Sequence, residues 1–204
     1  MNKLSRLFLA VLCSISLVSF AGAMASFPGE NLKTQNMVNI VARHCQKYVV
    51  NGKIDAKACA NDPTTLFYDQ TNHNLRTTAG GDWQAAQMGG TPVAVASYIG
   101  LASDSSNSGA GTVAAGDTTI ASSGTGSTEI TTNGLARAVA TYAHTASTAA
   151  YTMTKVFSAT GTQASNKAGL FNASSAGTMS FENLYTAVTC NNGDTLTVTW
   201  TINY

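Results

Sequence analysis

From Asp194 to Tyr204 the chain reads DTLTVTWTINY, and the alternation in it is strict. Leu196, Val198, Trp200 and Ile202 fall on one side of an extended chain, Thr195, Thr197, Thr199 and Thr201 on the other. A strand with one apolar and one hydroxyl face belongs in a sheet buried on one side, which is the antiparallel case. The apolar side must then be covered by a second sheet. The same grammar recurs in EITTNGLARAVATYAHT, AAYTMTKVFSATGTQ, SNKAGLFNASSAG and TMSFENLYTAVTCNNGD. These segments are rich in Thr, Val, Tyr, Phe, Ile and Ala, and most end in Gly, Asn, Ser or Asp. In the second of them Tyr151, Met153, Lys155 and Phe157 oppose Thr152, Thr154, Val156 and Ser158. Residues 91–101, TPVAVASYIGL, are apolar almost throughout and read as a central strand. The expectation is a mainly β chain, an antiparallel β-sandwich of Ig-like or jelly-roll type with about six main strands.

The N-terminal part reads differently. Residues 1–24 begin with Lys3 and Arg6, continue through the apolar run LFLAVLCSISLVSF, and exit through AGAMA. A basic start, an apolar stretch of about 7–15 residues and a small-x-small exit describe a secretory signal peptide, with cleavage after Ala23 or Ala25. No charge occurs from Leu7 to Gly29. A retained anchoring helix of nearly the ~20 residues that span a bilayer is therefore the other reading. Residues 25–90 are expected as an extension, part helical and part loop, and 91–204 as the β-sandwich domain. Leu32, Met37, Ile40, Val41 and Cys45 keep approximate helical spacing, and Val49–Gly52 reads as a helix end with a turn. Asn61-Asp62-Pro63 and Gly80-Gly81 mark turns in a loop-rich 61–90, pinned to the sheet by Leu66, Phe67, Tyr68 and Trp83. Residues 102–127 are poor in large apolar side chains, so an exposed excursion with a short ordered turn at Asp117–Ile120 is expected.

Charged residues make up 10% of the chain, against about 25% in typical globular proteins. With a net charge of +1 there is no electrostatic footprint for nucleic acid. His44, His73 and His144 form no HExxH, and no Cys-x-x-Cys occurs. Asp62, Asp69 and Asp82 lack the spacing of a calcium loop. Gly109-Ala110-Gly111 lacks the lysine of a phosphate loop, and GLARA and AGLFNAS contain no G-x-S-x-G elbow. Asn172-Ala173-Ser174 has the form of a glycosylation acceptor. Asp104, Asp117, Glu129 and Glu182 cannot be paired by spacing. Arg137 is the one charge in an apolar segment and is expected to play a structural role against Glu129 or Glu182. The chain is read as a non-enzyme, with no catalytic, metal or cofactor residue assigned. Trp83, Tyr98 and Tyr142 are the aromatic candidates for a glycan-stacking face, although aromatics at strand spacing are more often core. In an exported protein Cys45 and Cys59 would oxidise, closing a short loop worth about 3 kcal/mol. Cys190 is the odd cysteine, either free, buried or paired with one of the others.

Four blocks occur in order: GLARA at Gly134–Ala138, TMTKVFSATG at Thr152–Gly161, AGLFNAS at Ala168–Ser174, and GDTLTVTWTI at Gly193–Ile202. This succession resembles the C-terminal halves of small structural proteins encoded by tailed bacteriophages, over roughly residues 91–203. The resemblance implies a virion component, on the head surface as a decoration protein or in the tail apparatus. It would self-associate and bind other virion proteins, with no nucleic acid and with membrane contact only through a retained leader. The leader and the cysteine-bearing segment 25–90 depart from that pattern. They point to a second reading, a secreted bacterial surface or extracellular filament subunit on the same β-module.

Overall fold

The computed structural model describes residues 36–91, 93–104, 113–121 and 127–203. The leader and the Gly109–Gly111 loop lie outside these residues. Two antiparallel sheets face each other. The first runs in the order β4 (Leu66–His73), β1 (Met37–His44), β13 (Asp194–Asn203), β10 (Ala150–Ser158) and β9 (Thr141–His144). The second runs β5 (Leu75–Arg76), β12 (Met179–Cys190), β11 (Gln163–Phe171), β6 (Tyr98–Asp104) and β7 (Ser127–Glu129), with β8 (Ala138–Val139) also on β6. β2 (Val49–Val50) and β3 (Lys53–Ile54) form a small separate hairpin. Two α-helices are present among the described residues, α1 (Ala56–Ala60) and α2 (Thr78–Met88).

β13 sits at the middle of the first sheet, and its alternation is realised in space. Leu196, Val198, Trp200 and Ile202 are buried, while Thr197, Thr199 and Thr201 are half-exposed. Met153 and Phe157 of β10 and Val38, Ile40 and Ala42 of β1 join the same core. From the second sheet come Ile99, Leu101, Ala168, Leu170, Phe181, Tyr185 and Val188. The rings of Phe181 and Trp200 meet across the sandwich at 6.3 Å. Each large side chain so buried is worth about 1.5–3 kcal/mol, which makes this interface the main source of stability.

Several sequence expectations are corrected. Met37–His44 is a strand, not the start of a helix. Its apolar residues also fit a period of two, and full-length pairing with β13, from Met37↔Thr201 to His44↔Asp194, overrides the weaker helical spacing. The sandwich therefore begins at Met37, and Gln35–Tyr204 forms one compact unit, so the boundary at residue 91 does not hold. Residues 93–97 precede β6 rather than belonging to it, and that strand begins at Tyr98. The GLARA block is a turn, with Asn133 and Gly134 both in the left-handed region. A Cβ on Gly134 would stand 1.9 Å from the Ser158 carbonyl oxygen, so no other residue fits there. Gly80 and Gly81 lie inside α2 instead of marking a turn. Thr77 caps that helix, its Oγ1 accepting from the Gly80 amide at 2.9 Å. The missing Cβ of Gly80 lets the helix rest on the Ser180 carbonyl of β12, since a Cβ would come within 2.0 Å.

The second sheet is covered on both sides. On the side away from the main core, Ile120 packs with Ala102, Phe171 and Met179 in a second apolar cluster, and Tyr98 lies against it. Of the expected excursion, residues 102–104 belong to β6 and Ser127 to β7, and residues 113–121 are a roof on this sheet, with Asp117 and Ile120 buried. The two sheets are also joined along one edge by polar side chains. Tyr68, Gln70 and Asn72 share a face of β4; Tyr68 Oη donates to the Thr186 carbonyl at 2.8 Å, and Gln70 Oε1 accepts from the Thr186 amide at 3.0 Å. Asn72 Nδ2 donates to the Leu184 carbonyl at 3.1 Å.

Candidate functional site

An apolar recess of about 550 Å³ opens at one end of the sandwich. Its inner wall is core: Met153, Phe181 and Ile202. Its outer wall is Trp83 and Met88 of α2, Val95 of the approach to β6, Tyr142 of β9 and Tyr151 of β10. Trp83 is held by its indole N–H, which donates to the Ala94 carbonyl at 2.7 Å, and Gln87 donates to the Val93 carbonyl at 2.9 Å. Tyr142 and Tyr151 lie with ring centroids 5.6 Å apart. Met88, Val95 and Tyr142 at the rim are 80%, 65% and 60% exposed. Among the described residues no charged side chain lines the recess. Its walls can exclude water from an apolar or aromatic surface, and the polar groups among them are neutral, those of Gln84, Gln87, Ser97, Tyr142 and Tyr151. Two of the three aromatic candidates of the sequence, Trp83 and Tyr142, meet here. The third, Tyr98, lies against the second cluster instead. Met88, Val95 and Tyr151 escape sequence reasoning, because nothing in their spacing says that these parts of the chain converge.

A second feature lies under the roof. Lys167 of β11 is fully buried, with Nζ 3.0 Å from Glu182 Oε2 and 3.9 Å from Asp117 Oδ2. The backbone amide of Ala114 donates to Glu182 Oε1 at 2.8 Å and to Asp117 Oδ2 at 3.1 Å. That one amide thus bridges the Glu182 and Asp117 carboxyl groups. Burial pushes the Glu182 carboxyl up to about 7, with the Asp117 carboxyl acting in the same direction and Lys167 and the Ala114 amide opposing. Sequence spacing leaves Asp117 and Glu182 without a partner, and Lys167 carries no signal of its own in SNKAGLF.

Arg137 takes Glu129, not Glu182. The pair is bidentate, Nε to Oε1 and Nη2 to Oε2, each at 2.7 Å. The guanidinium also stacks on Phe171, 3.5 Å from the ring centroid, and Nη1 donates to the Ala176 carbonyl at 2.7 Å. These contacts tie β7, the turn before β8 and the loop after β11 together.

Cys45 and Cys59 form a disulfide, their Cα atoms 5.5 Å apart, which fastens α1 to the end of β1. Cys190 is a free thiol buried in the core, and burial together with the nearby Asp194 charge pushes it up to about 12, so it is an inert group. The three histidines stand apart. His44 Nδ1 is 3.0 Å from Asp194 Oδ1 and its ring stacks on Phe67. His144 Nδ1 is 2.8 Å from the Ala150 carbonyl, and His73 lies on β4. Asp62 receives hydrogen bonds from Lys47, Tyr48 and Thr64, which hold its carboxyl well below the usual range. Asp69 accepts from Asn39, and Asp82 is in α2. Among the described residues no group of three or more His, Cys, Asp or Glu side chains is placed to hold a metal ion. No helix among them is long and apolar enough to cross a membrane.

No family of proteins, no curated protein and no solved structure matches this chain.

Proposed function

We propose that the protein is a non-enzymatic structural subunit of a phage particle, docking on a capsid or tail lattice and on copies of itself through the faces of its sandwich. The observation that supports this most is the recess end. Met88, Val95 and Tyr142 present apolar surface to solvent around a cavity with uncharged walls, a surface suited to burial against a neighbour. The outer face of the first sheet adds a threonine field, Thr152 and Thr154 beside Thr197, Thr199 and Thr201, with little charge to oppose close approach. Contacts of about 1,000 Å² or more are needed for stable association, and lattice symmetry multiplies weaker ones. The block resemblance to tailed-phage proteins supplies the setting.

The test is mass spectrometry of purified particles together with micrographs of native material. The proposal expects the chain in the particles and copies resolved on a shell or tail. A chain absent from particles and standing alone in micrographs overturns it. The disulfide favours a second reading, a secreted surface or filament subunit, because such bonds persist in oxidising compartments. Sequencing the native N-terminus separates the two: a start near Met24 or Ser26 supports export, and an intact Met1 supports assembly inside the cell.

A further inference from the structure

We propose that Lys167 and Asp117 condense within the folded chain into an intramolecular amide, with Glu182 carrying the protons. Lys167 Nζ is fully buried, 3.0 Å from Glu182 Oε2 and 3.9 Å from Asp117 Oδ2. The three groups arrive from three different elements, β11, β12 and the roof, so only the folded chain assembles them. Glu182 has the contacts a proton carrier needs: Oε2 is 3.0 Å from Nζ, and its carboxyl shares the Ala114 amide with that of Asp117. Asp117 is the electrophile because it sits on the roof segment, which can close the 3.9 Å between Asp117 Oδ2 and Nζ by a small shift toward the sheet.

The step balances without any co-reactant. Nζ gives a proton to Glu182 and attacks Cγ of Asp117, forming the C–N bond. The tetrahedral centre collapses, one Cγ–O bond breaks, and the departing oxygen leaves as water. Both protons lost from nitrogen leave on that water, relayed through Glu182. An ammonium and a carboxylate become a neutral secondary amide. In water this equilibrium lies toward the ions. In the interior it is turned by desolvation, since two buried charges are costly and an amide removes both. The Ala114 amide, 3.1 Å from Asp117 Oδ2, is placed to stabilise the oxyanion of the tetrahedral centre. The consequence is a roof fastened covalently to the centre of the second sheet, whichever assembly the subunit serves.

The experiment is mass spectrometry of the folded full chain, with the disulfide reduced and the N-terminus read first. The proposal expects a mass below that of the sequence by one water. It also expects proteolytic fragments in which the Lys167 peptide is joined to the Asp117 peptide. Glu182→Gln should restore the full mass while near-ultraviolet circular dichroism still reports a folded core. The full mass in folded wild-type protein overturns the proposal, and so does a fragment linking Lys167 to Glu182 instead. The wild-type measurement stands without any variant, so a misfolded Glu182→Gln protein leaves the test intact.

Discussion

β13 and β11 are both interior strands of their sheets, yet they are buried in different ways. β13 alternates, with Leu196, Val198, Trp200 and Ile202 inside and Thr197, Thr199 and Thr201 half-exposed. β11 is buried without interruption from Ser165 to Phe171, polar residues included. The first strand faces the core on one side only. The second faces the core on one side and the chain's own roof on the other, and its outward positions carry Lys167 and a glycine. The outward side of an interior strand is therefore cheap to change in one sheet and costly in the other.

Three substitutions grade that contrast. Lys167→Ala should cost about 3–5 kcal/mol in chemical denaturation, because it leaves the buried Asp117 and Glu182 carboxyl groups with neither the ammonium nor the amide that it can form with Asp117. A loss below about 1 kcal/mol would show that the roof does not exclude water. Replacing Cys45 and Cys59 together by alanine should cost about 3 kcal/mol, an effect confined to the end of β1 and readable as early exchange of amides in α1. Thr199→Ala, on the outward side of β13, removes a hydrogen bond from Thr154 and should cost no more than about 1 kcal/mol. Equal costs for Lys167→Ala and Thr199→Ala would erase the distinction between the sheets.

The pH dependence sharpens it further. Glu182 is raised from 4.5 to about 7 in the folded chain, so the folded state holds a proton that the unfolded state has released between those values. This group's stabilising contribution is full below about 4.5 and is lost as pH rises toward 7. Glu182→Gln should flatten stability across that window when melts are run at a series of pH values. An unchanged slope would place the titration elsewhere.

The same contrast explains what the sequence reveals. β13 and β10 are legible because one-sided burial writes itself as alternation. β11 is not, because SNKAGLF shows its burial only once Glu182 and the roof are in place. β1 is ambiguous: its apolar residues fit periods of both two and three to four, and the choice is made by β13 at the opposite end of the chain. α2 is hidden by Gly80 and Gly81, which read as a turn but serve to bring the helix onto Ser180. Arg137 can be narrowed to two carboxylates by type, and only the path of β7 selects Glu129. In the recess, Trp83 and Tyr142 stand out as aromatics, while Met88, Val95 and Tyr151 become its walls only through long-range pairing.

The central claim is that the recess end is covered by neighbours. Sedimentation velocity over a range of concentrations, on the full chain and on Met88→Asp, tests it most directly. Met88 is so exposed that the substitution leaves the fold intact, yet it places a charge on the apolar rim. The account predicts that the wild-type chain associates as concentration rises and that Met88→Asp stays monomeric. A wild-type monomer at every concentration, or a variant that associates just as readily, would contradict it.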